Sequence, residues 1–145
     1  NEQEVLQIIA RDVTELREAQ ARLKNMATTD EMTKLPNFRK FKEQLTAEHE
    51  RCTRYGKEYA IVFCDVDNFK HYNDRNGHPA GDELLKEVAK VMMKCVRNTD
   101  LPARYGGEEF VVLCPEVNWK DSLVLAERIR TTLCEGKFAH SEAQP

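Results

Sequence analysis

Along the chain, stretches whose apolar residues recur every three or four positions alternate with short runs that are apolar almost throughout. From Asn1 to Ala27 there is neither glycine nor proline, and Leu6, Ile9, Val13, Leu16, Gln20, Leu23 and Ala27 follow a 3-4-3-4 spacing. That spacing predicts a helix, either a dimerising coiled coil or one packed on its own domain. Thr28-Thr29-Asp30 then breaks the pattern with cap-forming residues. After a turn through Met32 to Asn37, the positions of Phe38, Phe41 and Leu45 predict a helix to about His49, followed by a polar connection over 51–57. The run from Tyr59 to Cys64, ending at Asp65, predicts a central strand covered on both faces. Leu84, Leu85, Val88, Ala89, Val91, Met92 and Cys95 give the broad apolar face of a helix over 79–97 lying on a sheet. Two strands, 101–105 and 109–114, are joined by a Gly106-Gly107 turn, and Leu123, Leu125, Ala126, Ile129 and Leu133 mark a last helix ended by Gly136. This order describes an α/β fold, a mixed central sheet flanked by helices and preceded by an N-terminal helix.

A length of 145 residues suits one domain with a real core plus an appended element, divided as a helix over 1–27 and a domain over 28–145. With 41% apolar and 32% charged residues the chain is expected to fold as a soluble domain, not to stay disordered. A formal net charge of -3 gives no support for wrapping nucleic acid. The apolar runs are too short to cross a bilayer, and the start shows no signal-peptide pattern. The five cysteines are irregularly spaced, without a CxxC, so reduced thiols in a cytoplasmic protein are expected, with neither zinc nor disulfides. Beginning at Asn1 without a methionine, the sequence is expected to be a portion of something longer.

Two segments carry candidate chemistry. Asp65-Val66-Asp67 stands where the apolar strand ends, the side of an α/β sheet where loops shape a crevice. If the segment stays extended, Asp65 and Asp67 share one side. They then either face solvent as a plain acidic strand end or hold a cation. The Gly106-Gly107 turn can bring Glu108 close to Asp65, and two carboxylates with a backbone carbonyl make hard oxygen ligands for Mg2+ or Mn2+. Such ions usually act on phosphates, and glycines let a nucleotide approach the backbone without meeting a Cβ. A surface hairpin is the alternative. Arg97 and Asp100, three apart, form either an anion-reading pair or an ordinary surface ion pair. Asn73 could cap a turn at Asn76-Gly77, Asp82 could be a first-turn helix carboxylate, and His78 shapes the turn more plausibly than it binds a metal.

The stretches DVDNFKHYNDRNGHPAGD (65–82), RNTDLPARYGGEEF (97–110) and DEMTKLPNFRKF (30–41) resemble the hallmark motifs of GGDEF domains, with a GGEEF turn. The resemblance covers roughly 28–138 and implies a nucleotidyl-cyclase-like palm with a ferredoxin-like core. It also implies diguanylate cyclase activity, the condensation of two GTP into cyclic di-GMP and pyrophosphate across a homodimer. Carried over by position, it makes Asp65 and Glu108 metal carboxylates with the Val66 carbonyl beside them, and Asn73 and Asp82 readers of the guanine. Gly106 and Gly107 would underlie the nucleotide, and the N–H groups of Asn68 and Phe69, with Lys70, would face its phosphates. Glu109 would be essential, as base or as structural carboxylate, and Asp67 takes no definite role. Arg97 and Asp100 match the family's product-binding inhibitory motif, with Arg128 as the arginine that a neighbouring domain commonly contributes.

The departures are local except at the end. Lys34 replaces a glycine and Phe38 an arginine, and nothing after Phe138 matches the family's closing strand and helix. That strand would lie beside the Tyr59–Asp65 strand. Two further readings stand beside the enzyme: a non-catalytic cyclic di-GMP receptor using Arg97 and Asp100, and a dimerising relay module under an upstream sensory or receiver domain. Either could be the cytoplasmic part of a membrane-bound regulator.

Overall fold

Phe110, Val112 and Cys114 alternate with Val111 and Leu113, and all five are buried. Side chains alternate across a strand, so burial at every position requires a cover on both faces. The computed structural model, which describes residues 28–136, supplies both covers. The elements run α1 (Phe38–Tyr55), β1 (Tyr59–Asp65), α2 (Phe69–Asn76), α3 (His78–Cys95), β2 (Leu101–Gly106), β3 (Glu109–Pro115) and α4 (Trp119–Glu135). On one face Phe110, Val112 and Cys114 meet Leu85, Val88, Ala89 and Met92 of α3 and Leu125 and Ile129 of α4. On the other, Val111 and Leu113 meet Phe41 of α1 and Ala103 of β2.

The expected α/β fold with helices flanking a sheet is found. Within it the strand order is β1-β3-β2, and both pairings are antiparallel. The central strand is therefore β3, not the Tyr59–Cys64 run. β1 has one neighbour among the described residues, and its outward Ile61 and Phe63 are 43% and 52% exposed. The apolar run of β1 had suggested two covered faces; Val62 alone in that strand is buried.

Two helices differ from expectation. The expected polar connection over 51–57 is helical as far as Tyr55, because Cys52 is buried and Arg51 pairs with both Glu48 and Glu116. Gly56, at φ 63, then ends α1 in the left-handed conformation that glycine adopts without a Cβ penalty. The second is α2, a short helix over a segment whose polarity hides it, entered through Asn68 at φ 56. Asn37 caps α1 by accepting from the Lys40 N–H. The proposed seam from Leu6 to Ala27 lies outside the described residues.

Candidate active site

Register assembles the site. Asp65, the last residue of β1, is the partner of Glu109 across the β1–β3 pair, and Gly106 is the partner of Glu109 across β2–β3. Beyond the ladder, the Val66 N–H donates to the Glu108 carbonyl at 3.3 Å. Asp65, Val66, Glu108 and Glu109 thus converge where the strand end meets the hairpin turn. Asp67 does not share their strand: β1 stops at Asp65, and the chain turns through 66–68 into α2, so the extended geometry expected of Asp67 is absent. Phe69 N–H donates to the Val66 carbonyl at 3.3 Å, tying α2 to the same corner, with Asn68 and Lys70 exposed beside it.

Among the described residues no three His, Cys, Asp or Glu side chains gather into a metal site. The donor set nevertheless suits a hard cation. Mg2+ is usually held by one or two carboxylates and completed by substrate phosphates and water, so a preformed protein cage is not required. Asp65, Glu108 and the Val66 carbonyl could supply such a partial set.

Next to this corner, Asn73 of α2 faces Gly81 of α3. A Cβ built on Gly81 would lie 1.8 Å from Asn73 Oδ1 and 3.1 Å from Phe69 Cζ. Asn73 Oδ1 is buried and has no hydrogen-bond partner, while the adjoining Asp82 is half-buried. Leaving this one oxygen without a partner is costly, while Asn73 as a whole is half-buried.

The hairpin turn is held from below by a residue to which sequence reasoning gave no role. Arg104 donates from Nε and Nη2 to the Gly107 carbonyl, at 3.1 and 2.8 Å. Its Nη1 reaches both oxygens of Asp30, at 3.1 and 3.2 Å. Asp30 also accepts from the Thr33 N–H and hydroxyl. Burial pushes the Asp30 carboxyl up, but the Thr33 bonds and the Arg104 guanidinium outweigh it, leaving the group below its ordinary 3.8. A cap-like aspartate and an arginine at the start of a GG turn were visible in the sequence; their pairing over 74 positions was not. Phe38, the substituted arginine position, packs edge-on against Tyr105 at 4.8 Å.

Arg97, Asp100 and Arg128 come together elsewhere, around a cavity of about 100 Å3 that Cys114 also lines. Cys114 and Glu109 are five residues apart on β3, roughly 17 Å along a strand, so this cavity is separate from the turn. Arg128 reaches it from the same chain, donating to the Cys95 carbonyl, and no neighbouring domain is needed to bring it there. The five cysteines are free, and burial pushes the Cys114 thiol up to about 11, so it stays neutral.

Residues 27–145 match the family described as diguanylate cyclase, GGDEF domain. The chain is 46% identical over 113 residues to the response regulator PleD of Caulobacter vibrioides, covering 78% of this chain and 25% of that protein. It is 37% identical over 127 residues to the diguanylate cyclase DgcM of Escherichia coli, covering 88% and 31%. In three dimensions it resembles the coiled coil and GGDEF domain of DgcB from Caulobacter crescentus, solved in complex with c-di-GMP. The TM-score is 0.78 at 31% identity, over 81% of this chain and 61% of that one. It also resembles the diguanylate cyclase SiaD of Pseudomonas aeruginosa in complex with its activator SiaC, with TM-score 0.72 at 40% identity, over 81% and 45%. The chain belongs to the GGDEF diguanylate cyclase domain family. It spans about a quarter to a third of the length of those two sequence relatives. Among the described residues no helix is long and apolar enough to cross a membrane.

Proposed function

We propose that the protein containing this chain is a diguanylate cyclase that condenses two GTP into cyclic di-GMP and two pyrophosphates. The observation that carries this reading is the convergence of Asp65, Val66, Glu108 and Glu109 at one corner, beside the unpartnered Asn73. In it Asp65, Glu108 and the Val66 carbonyl hold Mg2+ or Mn2+. Bound there, the ion supplies charge neutralisation at the transferring phosphate and lowers the pKa of the attacking hydroxyl. Asn73 and Asp82 read the guanine, the Gly106-Gly107 turn leaves room for the nucleotide, and Asn68, Phe69 and Lys70 face its phosphates. Each 3′-hydroxyl gives its proton to Glu109 or to water as its oxygen bonds to the α-phosphorus of the other GTP, the bond from that phosphorus to the α–β bridging oxygen breaks, and pyrophosphate leaves with the electron pair. One domain holds one substrate, so ring closure needs two domains face to face, brought together by the helix expected over 1–27 and governed by an upstream sensory or receiver domain. A cytoplasmic location follows from the substrate.

Chromatography of nucleotide products tests this. The full protein with Mg2+ is expected to turn over GTP and not ATP, and Glu108→Gln is expected to lower turnover at least about a hundredfold with the fold intact. Equal turnover of ATP, or a Glu108→Gln variant within about threefold of the parent, would overturn the assignment. A second reading, cyclic di-GMP binding at Arg97, Asp100 and Arg128, is favoured by the buried, unpartnered Asp100 Oδ1. It applies to an active enzyme as product inhibition and to an inactive one as reception.

A further inference from the structure

The Gly106-Gly107 turn has no side chains of its own to hold it, and the strand that leads into it is irregular. In the β2–β3 ladder Arg104 is the partner of Phe110 and Gly106 of Glu109, so Tyr105 between them is a bulged residue without a partner. A bulge interrupts the ladder and leaves its extra residue to be fixed by other contacts. Here those contacts are aromatic. The Tyr105 ring lies edge-on to Phe38, Phe63 and Phe41, with centroids 4.8, 4.9 and 6.4 Å away. All three distances fall in the range of about 4.5–7 Å over which edge-on rings attract. Phe38 and Phe41 belong to α1, whose start is tied to β2 by the Arg104 N–H donating to the Pro36 carbonyl at 2.9 Å. Phe63 belongs to β1, and β3 lies between β1 and β2, so the Phe63–Tyr105 contact bridges the central strand. It joins the two segments that carry the candidate metal carboxylates. Phe63 stands two residues before Asp65, on the same face of β1, and Tyr105 three residues before Glu108.

We propose that Tyr105 is a positioning residue: through its ring contacts with Phe38 and Phe63 it holds the bulged arm of the hairpin against β1, and so sets how well Glu108 and Asp65 together bind a divalent cation. The inference rests on reading this corner as the metal and nucleotide site. The other ties act beyond the bulge, on the tip of the turn: Arg104 donates to the Gly107 carbonyl, and the Val66 N–H to the Glu108 carbonyl. The arm entering from β2 has the ring in place of a ladder partner. Without the ring that arm is free to move about Gly106, and Glu108 spends part of its time away from Asp65. The fold does not depend on the cluster, because Tyr105, Phe38 and Phe63 are 38%, 43% and 52% exposed while the buried residues lie elsewhere. Asn73 and Asp82 stand on α2 and α3, off this path, so recognition of the base is spared.

Electron paramagnetic resonance of Mn2+ added to the full protein with a non-hydrolysable GTP analogue tests this, alongside steady-state turnover with Mg2+. Tyr105→Ala is expected to weaken Mn2+ binding and to raise the half-saturating Mg2+ about tenfold, with the KM for GTP at saturating Mg2+ within about threefold of the parent. Tyr105→Phe keeps the ring and is expected to match the parent in both. Phe38→Ala removes the same contact from the α1 side and should shift both readouts in the same direction. Combined with Tyr105→Ala it should add nothing, because the two act as one unit. Mn2+ affinity within about twofold of the parent in Tyr105→Ala, a Tyr105→Phe protein as weak as Tyr105→Ala, or additive losses in the double variant would overturn the inference alone. Should Tyr105→Ala not fold, Phe38→Ala decides, and parent-like Mn2+ affinity in that protein overturns it. A parent that binds no Mn2+ with the analogue would overturn the reading of the corner, and this inference with it.

Discussion

A methyl group at Gly81 would overlap Asn73 Oδ1 at 1.8 Å and Cγ at 2.8 Å. Both atoms belong to a side chain that can rotate away, so the clash displaces Asn73 more than it disturbs the fold. Gly81→Ala is therefore expected to raise the KM for GTP at least about tenfold, with a melting shift of only a few degrees. Kinetics within twofold of the parent would show that Asn73 does not read the base. Lys34 poses the opposite case, a side chain where a glycine would be at ease. It has φ 62, a conformation that costs an ordinary residue about 1–2 kcal/mol, partly offset by the greater unfolded-chain entropy of glycine. Lys34→Gly is expected to stabilise the domain by roughly 1 kcal/mol, about 3 °C in a thermal melt, and a lower melting temperature would refute the strain.

At the scale of elements, the hairpin and its Gly-Gly turn were legible because a short apolar run and turn chemistry are local signals, and α3 because its apolar face is broad. The edge place of β1 among the described residues was expected, since the closing strand that would lie beside it has no match after Phe138; the central place of β3 was not legible. Ala60, Val62 and Cys64 bury one side of β1, while Ile61 and Phe63 are as apolar as core residues yet exposed. Composition cannot say which of two apolar strands has two neighbours. Likewise α2 has no buried residue to give it a period. Of the site, the acidic corner was readable through its motif, but the brace of Arg104 and Asp30 depends on a pairing that no local pattern encodes. That brace links the segment after residue 27 to the turn, and Arg104→Ala is expected to lower kcat about tenfold or more while KM changes little. Arg104→Lys should recover only part, since one ammonium cannot span a carboxylate and the Gly107 carbonyl as a guanidinium fork does. The acid limb gives a second readout. Asp30 has its folded pKa depressed, so its stabilisation is present above the unfolded value near 3.9 and is lost as pH falls through the folded value. Without Arg104 the burial contribution is less opposed, and the acid-unfolding midpoint of Arg104→Ala is expected to lie at higher pH than that of the parent. Coincident midpoints would show that the pair does not brace the turn.

For the whole molecule, the proposed function leads to one dependence. In the proposed function the corner at Asp65 and Glu108 takes one nucleotide, whereas a cyclic dinucleotide needs two. The activity expected of the full protein is therefore a property of pairs of domains. The seam expected from the spacing of Leu6, Ile9, Val13, Leu16 and Leu23, with Gln20 breaking it, is the means of pairing we propose. Replacing Leu16 and Leu23 with glutamates sets like charges against each other in a dimer while leaving helix propensity nearly unchanged. In the full-length protein, specific activity is expected to fall steeply on dilution in the double variant, to recover as concentration rises, and to fall at much lower concentration in the parent. Sedimentation under the same conditions should show the dimer fraction moving with activity. Flat activity per domain across the dilution series in both proteins would mean that the helix does not pair the active sites.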